Sequence, residues 1–273
     1  MSDRQLLTRL GLGPTWRLRE AVSRANDLEP SPVAEPTSPV ILEAESCDSG
    51  VTTPEFVAEQ RSSDRASEPV GSGLDWPDLD DAISACRACR LCEQRTQAVP
   101  GVGDRSADWL FVGEGPGAEE DLRGEPFVGQ AGKLLDAMLA ALGVARGDGV
   151  YIANAVKCRP PNNRTPEADE IEACFPFLQR QIALIQPRVI VALGRPAAQA
   201  LLKQEIRIGA ARGKPFSFGD IPVVVTYHPA YLLRNPADKA KAWEDLCLAR
   251  RTLAAQPARP QGAALSGDSL PVG

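Results

Sequence analysis

Four short apolar runs constrain this chain more than any other feature. They are "DWLFVG" (108–113), "GVYIANAV" (149–156), "RVIVALG" (188–194) and "IPVVVTYH" (221–228). All are rich in β-branched residues and bounded by glycine or polar residues, the pattern of strands buried on both faces. Helical stretches alternate with them: "AGKLLDAMLAALGV", "TPEADEIEACFPFLQRQIALIQ", "RPAAQALLKQ" and, after the fourth run, "PADKAKAWEDLCLARRTLAAQ". Thr165 before Pro166 predicts an N-cap followed by proline at the first helical position. Strand–helix alternation of this kind predicts an α/β fold, a central four-stranded parallel sheet flanked by helices on both faces.

Composition divides the chain. Residues 1–80 carry 7 Lys/Arg against 15 Asp/Glu, with prolines at Pro30, Pro32, Pro36, Pro39 and Pro54, and read as a disordered acidic leader. Residues 81–256 carry 22 Lys/Arg against 20 Asp/Glu and read as the folded domain, with 257–273 a disordered tail. The net charge of −6 therefore comes from the leader and says little about what the domain binds. No run approaches ~20 apolar residues, so no transmembrane helix is expected. Charges interrupt the start every few residues, which excludes a signal core; Leu6, Leu7 and Leu10 there would share one face of a short helix. A cytoplasmic protein is expected, and its seven cysteines would remain reduced.

Ligands of such sheets sit beyond the carboxyl ends of the strands. Those ends are Gly113–Gly117 ("GEGPG"), Asn154, Gly194-Arg195 and Tyr227-His228-Pro229. Gly113, Gly115 and Ala118 have the spacing of a dinucleotide loop, but Glu114, Glu119, Glu120 and Asp121 would repel a pyrophosphate. His228 is the only histidine in the chain. A lone histidine is ordinarily a surface or core residue; its place at a strand end, level with an acidic loop and an amide, points to function.

The cysteines give a second signal. Cys86 and Cys89 form a C-x2-C pair ahead of the first strand, and Cys158 and Cys174 follow the second. Four thiolates suit zinc or an iron–sulfur cluster, and spacing alone does not separate the two. Cys92 adds a third cysteine at ferredoxin-like spacing in "CRACRLC". Cys47 falls in the leader, and Cys247 reads as a small core residue of the last helix.

Together, "CRACRLCEQRT", "GEGPGAEEDLRGEPFVGQAG", "NAVKCRPPNNRTP" followed by Cys174, and "YHPAYLLRNP" resemble the family 4 uracil-DNA glycosylases. The likeness spans about residues 84–252, with the motifs in the family's order. It implies the three-layer fold of the uracil-DNA glycosylase superfamily and a DNA repair enzyme of base excision. Such an enzyme flips uracil out of DNA and hydrolyses its N-glycosidic bond, leaving an abasic site. It also implies a [4Fe-4S] cluster on Cys86, Cys89, Cys158 and Cys174, with Cys92 outside the ligand set. Gly113, Glu114 and Gly115 would line the uracil, and Phe127 would stack on the flipped ring. Asn154 would pair with N3–H and O4. Glu114 would orient the attacking water with help from Asn163, and Glu120 would crowd C5. His228 would donate to O2 as charge develops on the leaving base. The expected partner is uracil-containing DNA, bound by a monomer. Lys157, Arg159, Arg164, Arg212, Lys214 and Arg234 are candidate phosphate contacts.

Three other readings compete. A related glycosylase family that joins covalently to uracil-DNA has an inserted basic, histidine-bearing loop, which this chain lacks. A zinc nucleobase deaminase needs an H-x-E pair that "YHPA" does not supply. A non-enzymatic nucleic-acid-binding module organised by a four-cysteine metal site is the alternative from another class.

Overall fold

The computed structural model describes residues 73–257. The leader up to residue 72, with Cys47 and the Leu6–Leu7–Leu10 face, and the tail from 258 lie outside them. Six strands form one sheet: β1 (Val102–Gly103), β2 (Trp109–Gly113), β3 (Val150–Asn154), β4 (Val189–Leu193), β5 (Phe216–Phe218) and β6 (Ile221–Thr226). Their order is β1-β3-β2-β4-β6-β5. The inner four are the apolar runs of the sequence and pair in parallel, while β1 and β5 close the two edges antiparallel. The sheet is therefore mixed and six-stranded, not four-stranded. Both edge strands are two or three residues long and only partly buried, so they leave no apolar run in the sequence.

Helices cover both faces: α1 (Trp76–Ala85), α2 (Ala118–Arg123), α3 (Gln130–Leu142), α4 (Ala168–Ile185), α5 (Arg195–Leu202), α6 (Ile208–Ala211), α7 (Pro229–Arg234) and α8 (Lys239–Ala255). Alternate strand residues serve opposite layers, as the period of two requires. Leu110, Val112, Ile190, Ala192, Val223 and Val225 pack with Leu178 and Ile182 of α4 and Leu201 of α5. Phe111, Ile152, Val191 and Val224 pack with Leu135 and Leu139 of α3 and Leu246 of α8. Each such side chain, once fully buried, contributes about 1.5–3 kcal/mol, which fixes the register and sets the ends of the four inner strands level. Gly113 thereby lies opposite Asn154, and Leu193 opposite Thr226. Because β3 and β4 flank β2 on opposite sides, the strand order reverses there, and the crevice beyond β2 and β4 is the expected ligand position.

Two boundaries differ from the sequence reading. Helix α1 starts at Trp76, ahead of the boundary placed at 81, and buries Leu79 and Ile83 against Leu91, Cys158, Cys174 and Phe177. Asp78, Asp80 and Asp81 gave this helix the character of the acidic leader. Helix α4 is capped by Glu167, not Thr165: the Glu170 carboxylate accepts the Glu167 N–H at 2.8 Å. Arg164 grips the same carboxylate with two bonds of 2.8 and 2.6 Å, and Thr165 is released for another role.

Candidate active site

The carboxyl ends of the inner strands open into one cleft of about 690 Å³. Glu114 and Gly115 enter it from β2, Asn154 from β3, Arg195 from the turn after β4 and His228 from the turn after β6, with Phe127 and Asn163 on loops beside them. The structure thus gathers residues that sequence reading had assigned to separate strand ends. Gly113 lies just beneath: a Cβ there would collide with the Asn154 Oδ1 atom and the Phe127 ring. The close approach of these two side chains therefore requires glycine.

Phe127 is held in a conformation that L-residues avoid. Its φ is 56°, and such strain costs of order 1–3 kcal/mol unless surroundings impose it. Arg146 imposes it, donating to the carbonyls of Pro126 and Phe127 at 2.8 Å each, while a Cβ at Gly132 would strike the Phe127 carbonyl. The ring ends 5.5 Å from that of His228, inclined by 30°. The ring is 6% exposed, packs with Phe111 and Leu135 in the core and also lines the cleft.

Asn154 is 2% exposed, and its Oδ1 has no hydrogen-bond partner among the described residues. A buried unsatisfied acceptor costs roughly 1–3 kcal/mol, so its retention at the cleft wall marks a place for a donor from a ligand.

His228 caps α7, its Nδ1 accepting the Ala230 N–H at 3.2 Å. Burial, aided by the Arg234 guanidinium and opposed by Glu120, lowers its pKa to about 4. The ring is neutral near pH 7, and with Nδ1 accepting, the proton resides on Nε2. Glu114 is pushed upward by burial, while a hydrogen bond from Thr165 and the charge of Arg195 pull it down. Asn163 faces the cleft while Asn162 does not, and its Oδ1 accepts from Arg159 at 2.8 Å.

Several expectations change. Glu120 lines the cleft, yet its oxygens accept the N–H groups of Gly117, Val128 and Gly129 at 3.1, 2.9 and 3.0 Å. It fastens the glycine-rich loop to the Phe127 loop. Lys157, expected among phosphate contacts, is 1% exposed and out of reach. Arg212 is bound to Asp245 and Arg164 to Glu170. Arg195 and Arg234 line the cleft, are exposed and have no acidic partner within ion-pair distance among the described residues. The sequence placed Arg195 at a strand end but gave it no role; Thr165 looked like a cap, and Tyr231, which also lines the cleft, carried no signal of its own.

A second, much smaller cavity of about 10 Å³ is lined by Cys86, Cys89, Cys92, Cys158 and Cys174 between α1 and α4. N–H donors point at three of these sulfurs: Ala88 N to Cys86 at 3.4 Å, Arg95 Nη1 to Cys158 at 2.9 Å and Lys157 N to Cys174 at 3.2 Å. Among the described residues Cys92 receives none. Nor do three or more His, Cys, Asp or Glu side chains there close on a single-ion site. Cys247 lies within α8, away from this cavity.

No helix among the described residues is long and apolar enough to cross a membrane. Residues 100–247 match the model of the uracil DNA glycosylase superfamily. The chain is 44% identical to the type-4 uracil-DNA glycosylase of Pyrobaculum aerophilum over 64% of its own length and 93% of the relative's. It is 47% identical to that of Archaeoglobus fulgidus over 56% and 81%, and 45% identical to that of Saccharolobus solfataricus over 65% and 86%. A cleft at the switch point of a parallel sheet, a neutral histidine and an unpartnered amide thus coincide with matches that nearly span these relatives. The chain belongs to the uracil DNA glycosylase superfamily, among its type-4 members.

Proposed function

We propose that this cleft takes uracil flipped from DNA and hydrolyses its N-glycosidic bond, the activity by which type-4 uracil-DNA glycosylases are named. The observation that carries the reading is the buried, unpartnered Oδ1 of Asn154, an acceptor suited to uracil N3–H while Nδ2 donates to O4. Cytosine presents the inverse pattern at those two positions. Gly113, Glu114 and Gly115 line the base, and the strained Phe127 ring stacks on it.

As the C1′–N1 bond breaks, its electron pair passes to the base and charge builds at O2. The Nε2–H of neutral His228 donates there, and a donor that meets charge only as it develops lowers the barrier and not merely the bound state. A water oxygen bonds to C1′; Glu114 orients that water and takes up its proton, with Asn163 beside it. Arg195 and Arg234 meet the phosphates flanking the flipped nucleotide.

Cys86, Cys89, Cys158 and Cys174 would hold a [4Fe-4S] cluster. Donors aimed at three of these four sulfurs, as is usual around clusters, and thiols that line one small cavity without closing on a single-ion site support a cluster over a zinc ion. Bound there, it would supply a cross-link between the segment before β1 and the β3–α4 region. The folded unit then runs from Trp76 to about residue 256, and the alternative of a non-catalytic DNA-binding module leaves the unpartnered amide and neutral histidine without purpose.

Incubation with a uracil-containing oligonucleotide, followed by alkali, tests the reading directly. Strand cleavage at uracil is expected; an intact strand, from protein that binds the DNA and carries iron, would leave only the binding-module reading.

A further inference from the structure

Lys157 follows Asn154 by three residues, is 1% exposed, and takes no part in the steps above. Its Nζ donates to the Asn154 carbonyl at 2.9 Å and to Gln181 Oε1 at 2.6 Å. Gln181 is itself fully buried and donates to the Pro100 carbonyl at 2.8 Å. The Lys157 main chain is fixed as well: its N–H donates to Cys174 Sγ at 3.2 Å, and its carbonyl accepts from Val99 N at 2.8 Å. The ammonium is therefore tied to α4 and to the end of β3, and through Gln181 to the segment before β1.

Burying an ammonium is costly, and an apolar side chain of similar volume fills such a space at less cost. The bonds made here are directional and end on the main chain of Asn154. A base-reading amide must be held within about half an ångström of its productive position, and Asn154 has no side-chain acceptor bond of its own to hold it. We propose that Lys157 is a positioning residue for uracil recognition: it pins the Asn154 carbonyl and so sets the direction of the amide that reads N3–H and O4. This inference rests on the reading of Asn154 given above.

The test is a double-mutant cycle of Lys157→Met and Asn154→Ala. Inhibition by free uracil reports the base pocket alone, and single-turnover excision, iron content and melting temperature are measured on the same proteins. Lys157→Met is expected to weaken both uracil inhibition and excision by about tenfold, the scale of one hydrogen bond. Iron content should stay at the wild-type level. In the Asn154→Ala background the same change should add less than about twofold, because both act on one contact. A full tenfold loss in that background, an undiminished uracil inhibition in Lys157→Met alone, or a fall explained entirely by lost iron or melting temperature would each overturn the inference. Asn154→Ala with wild-type uracil inhibition would instead overturn the reading of Asn154, a separate failure. If Lys157→Met does not fold, Gln181→Met removes the acceptor that aims the ammonium, together with the bond to the Pro100 carbonyl, and runs through the same cycle with the same expected outcomes.

Discussion

The chain's single histidine makes the state of His228 directly measurable. Its pKa is lowered from 6.5 to about 4, by burial first and by the Arg234 guanidinium second, against the opposing pull of Glu120. At ~1.4 kcal/mol per unit, this is a preference of about 3 kcal/mol for the neutral ring in the folded state. The direction follows from linkage. The fold favours the unprotonated form, so this stability is complete above the unfolded value of 6.5 and is lost as pH falls toward about 4. Protonation of Nδ1 would also break the bond from Ala230 N that caps α7. In protein labelled with 13C and 15N at histidine, one ring signal should titrate with a midpoint near 4 and show the Nε2–H tautomer at pH 7. A midpoint near or above the ordinary value of ~6.5, or an Nδ1–H tautomer, would refute the neutral-donor assignment. The kinetic counterpart is a single-turnover rate without an inflection near the ordinary histidine value. His228→Ala should lower that rate roughly 10²–10³-fold with affinity for uracil-DNA nearly intact, and His228→Gln, which keeps an N–H, should retain more. A packing histidine predicts the reverse: a lower melting temperature and a rate per folded molecule within about threefold of wild type, far from the usual donor-loss penalty.

Changing any one of Cys86, Cys89, Cys158 or Cys174 to Ala should cost iron and destabilise the domain, while Cys92→Ala keeps its iron; iron lost from Cys92→Ala but kept in Cys174→Ala would overturn the ligand set. Asn154→Asp should lower uracil excision at least about tenfold, since a lost hydrogen bond in a desolvated site costs on the order of 1–3 kcal/mol, and unchanged excision would remove Asn154 from the pocket. Arg195→Ala and Arg234→Ala should each flatten the dependence of log affinity on log salt by about one contact's worth, and an unchanged slope would place the phosphates elsewhere. A chain beginning at Gly73 should fold and excise uracil normally, whereas one beginning at Asp81 loses the burial of Leu79, worth about 1.5–3 kcal/mol, and should melt earlier; equal melting temperatures would show that the first turn of α1 contributes nothing.

The inner sheet was legible because strands buried on both faces must be apolar throughout, and the site followed from where those strands end. Edge strands β1 and β5 obey no such demand and stayed hidden. Helix α1 was missed for a different reason. Its three exposed or half-exposed aspartates, Asp78, Asp80 and Asp81, resemble the acidic leader, while only Leu79 and Ile83 face inward. The α4 cap was misplaced because Thr165-Pro166 has the right local chemistry, and only the tertiary grip of Arg164 on Glu170 moves the cap to Glu167. Lys157 reads from the sequence as a phosphate contact, because nothing in "NAVKCRP" distinguishes a buried, directional ammonium from a solvated one.

The acidic character of the glycine-rich loop has its explanation in the fold more than in the ligand. From the sequence, Glu114, Glu119, Glu120 and Asp121 looked like charge facing a bound molecule, enough to repel a pyrophosphate. The structure turns two of these four inward and leaves Glu119 exposed. Glu120 binds three main-chain N–H groups of its own and the neighbouring loop, and Asp121, 2% exposed, accepts the Thr96 N–H at 2.9 and 3.1 Å. Carboxylates in such bonds roughly double the strength of a neutral acceptor, which suits loops that must hold Phe127 against its own backbone strain. Glu114 shares the cleft wall with Glu120, half-buried and balanced by Thr165 and Arg195. In the reading proposed above, the loop can be rich in acid and still lie beside DNA, because Arg195 and Arg234, carried by α5 and α7, would meet the phosphates while Glu114 faces the water.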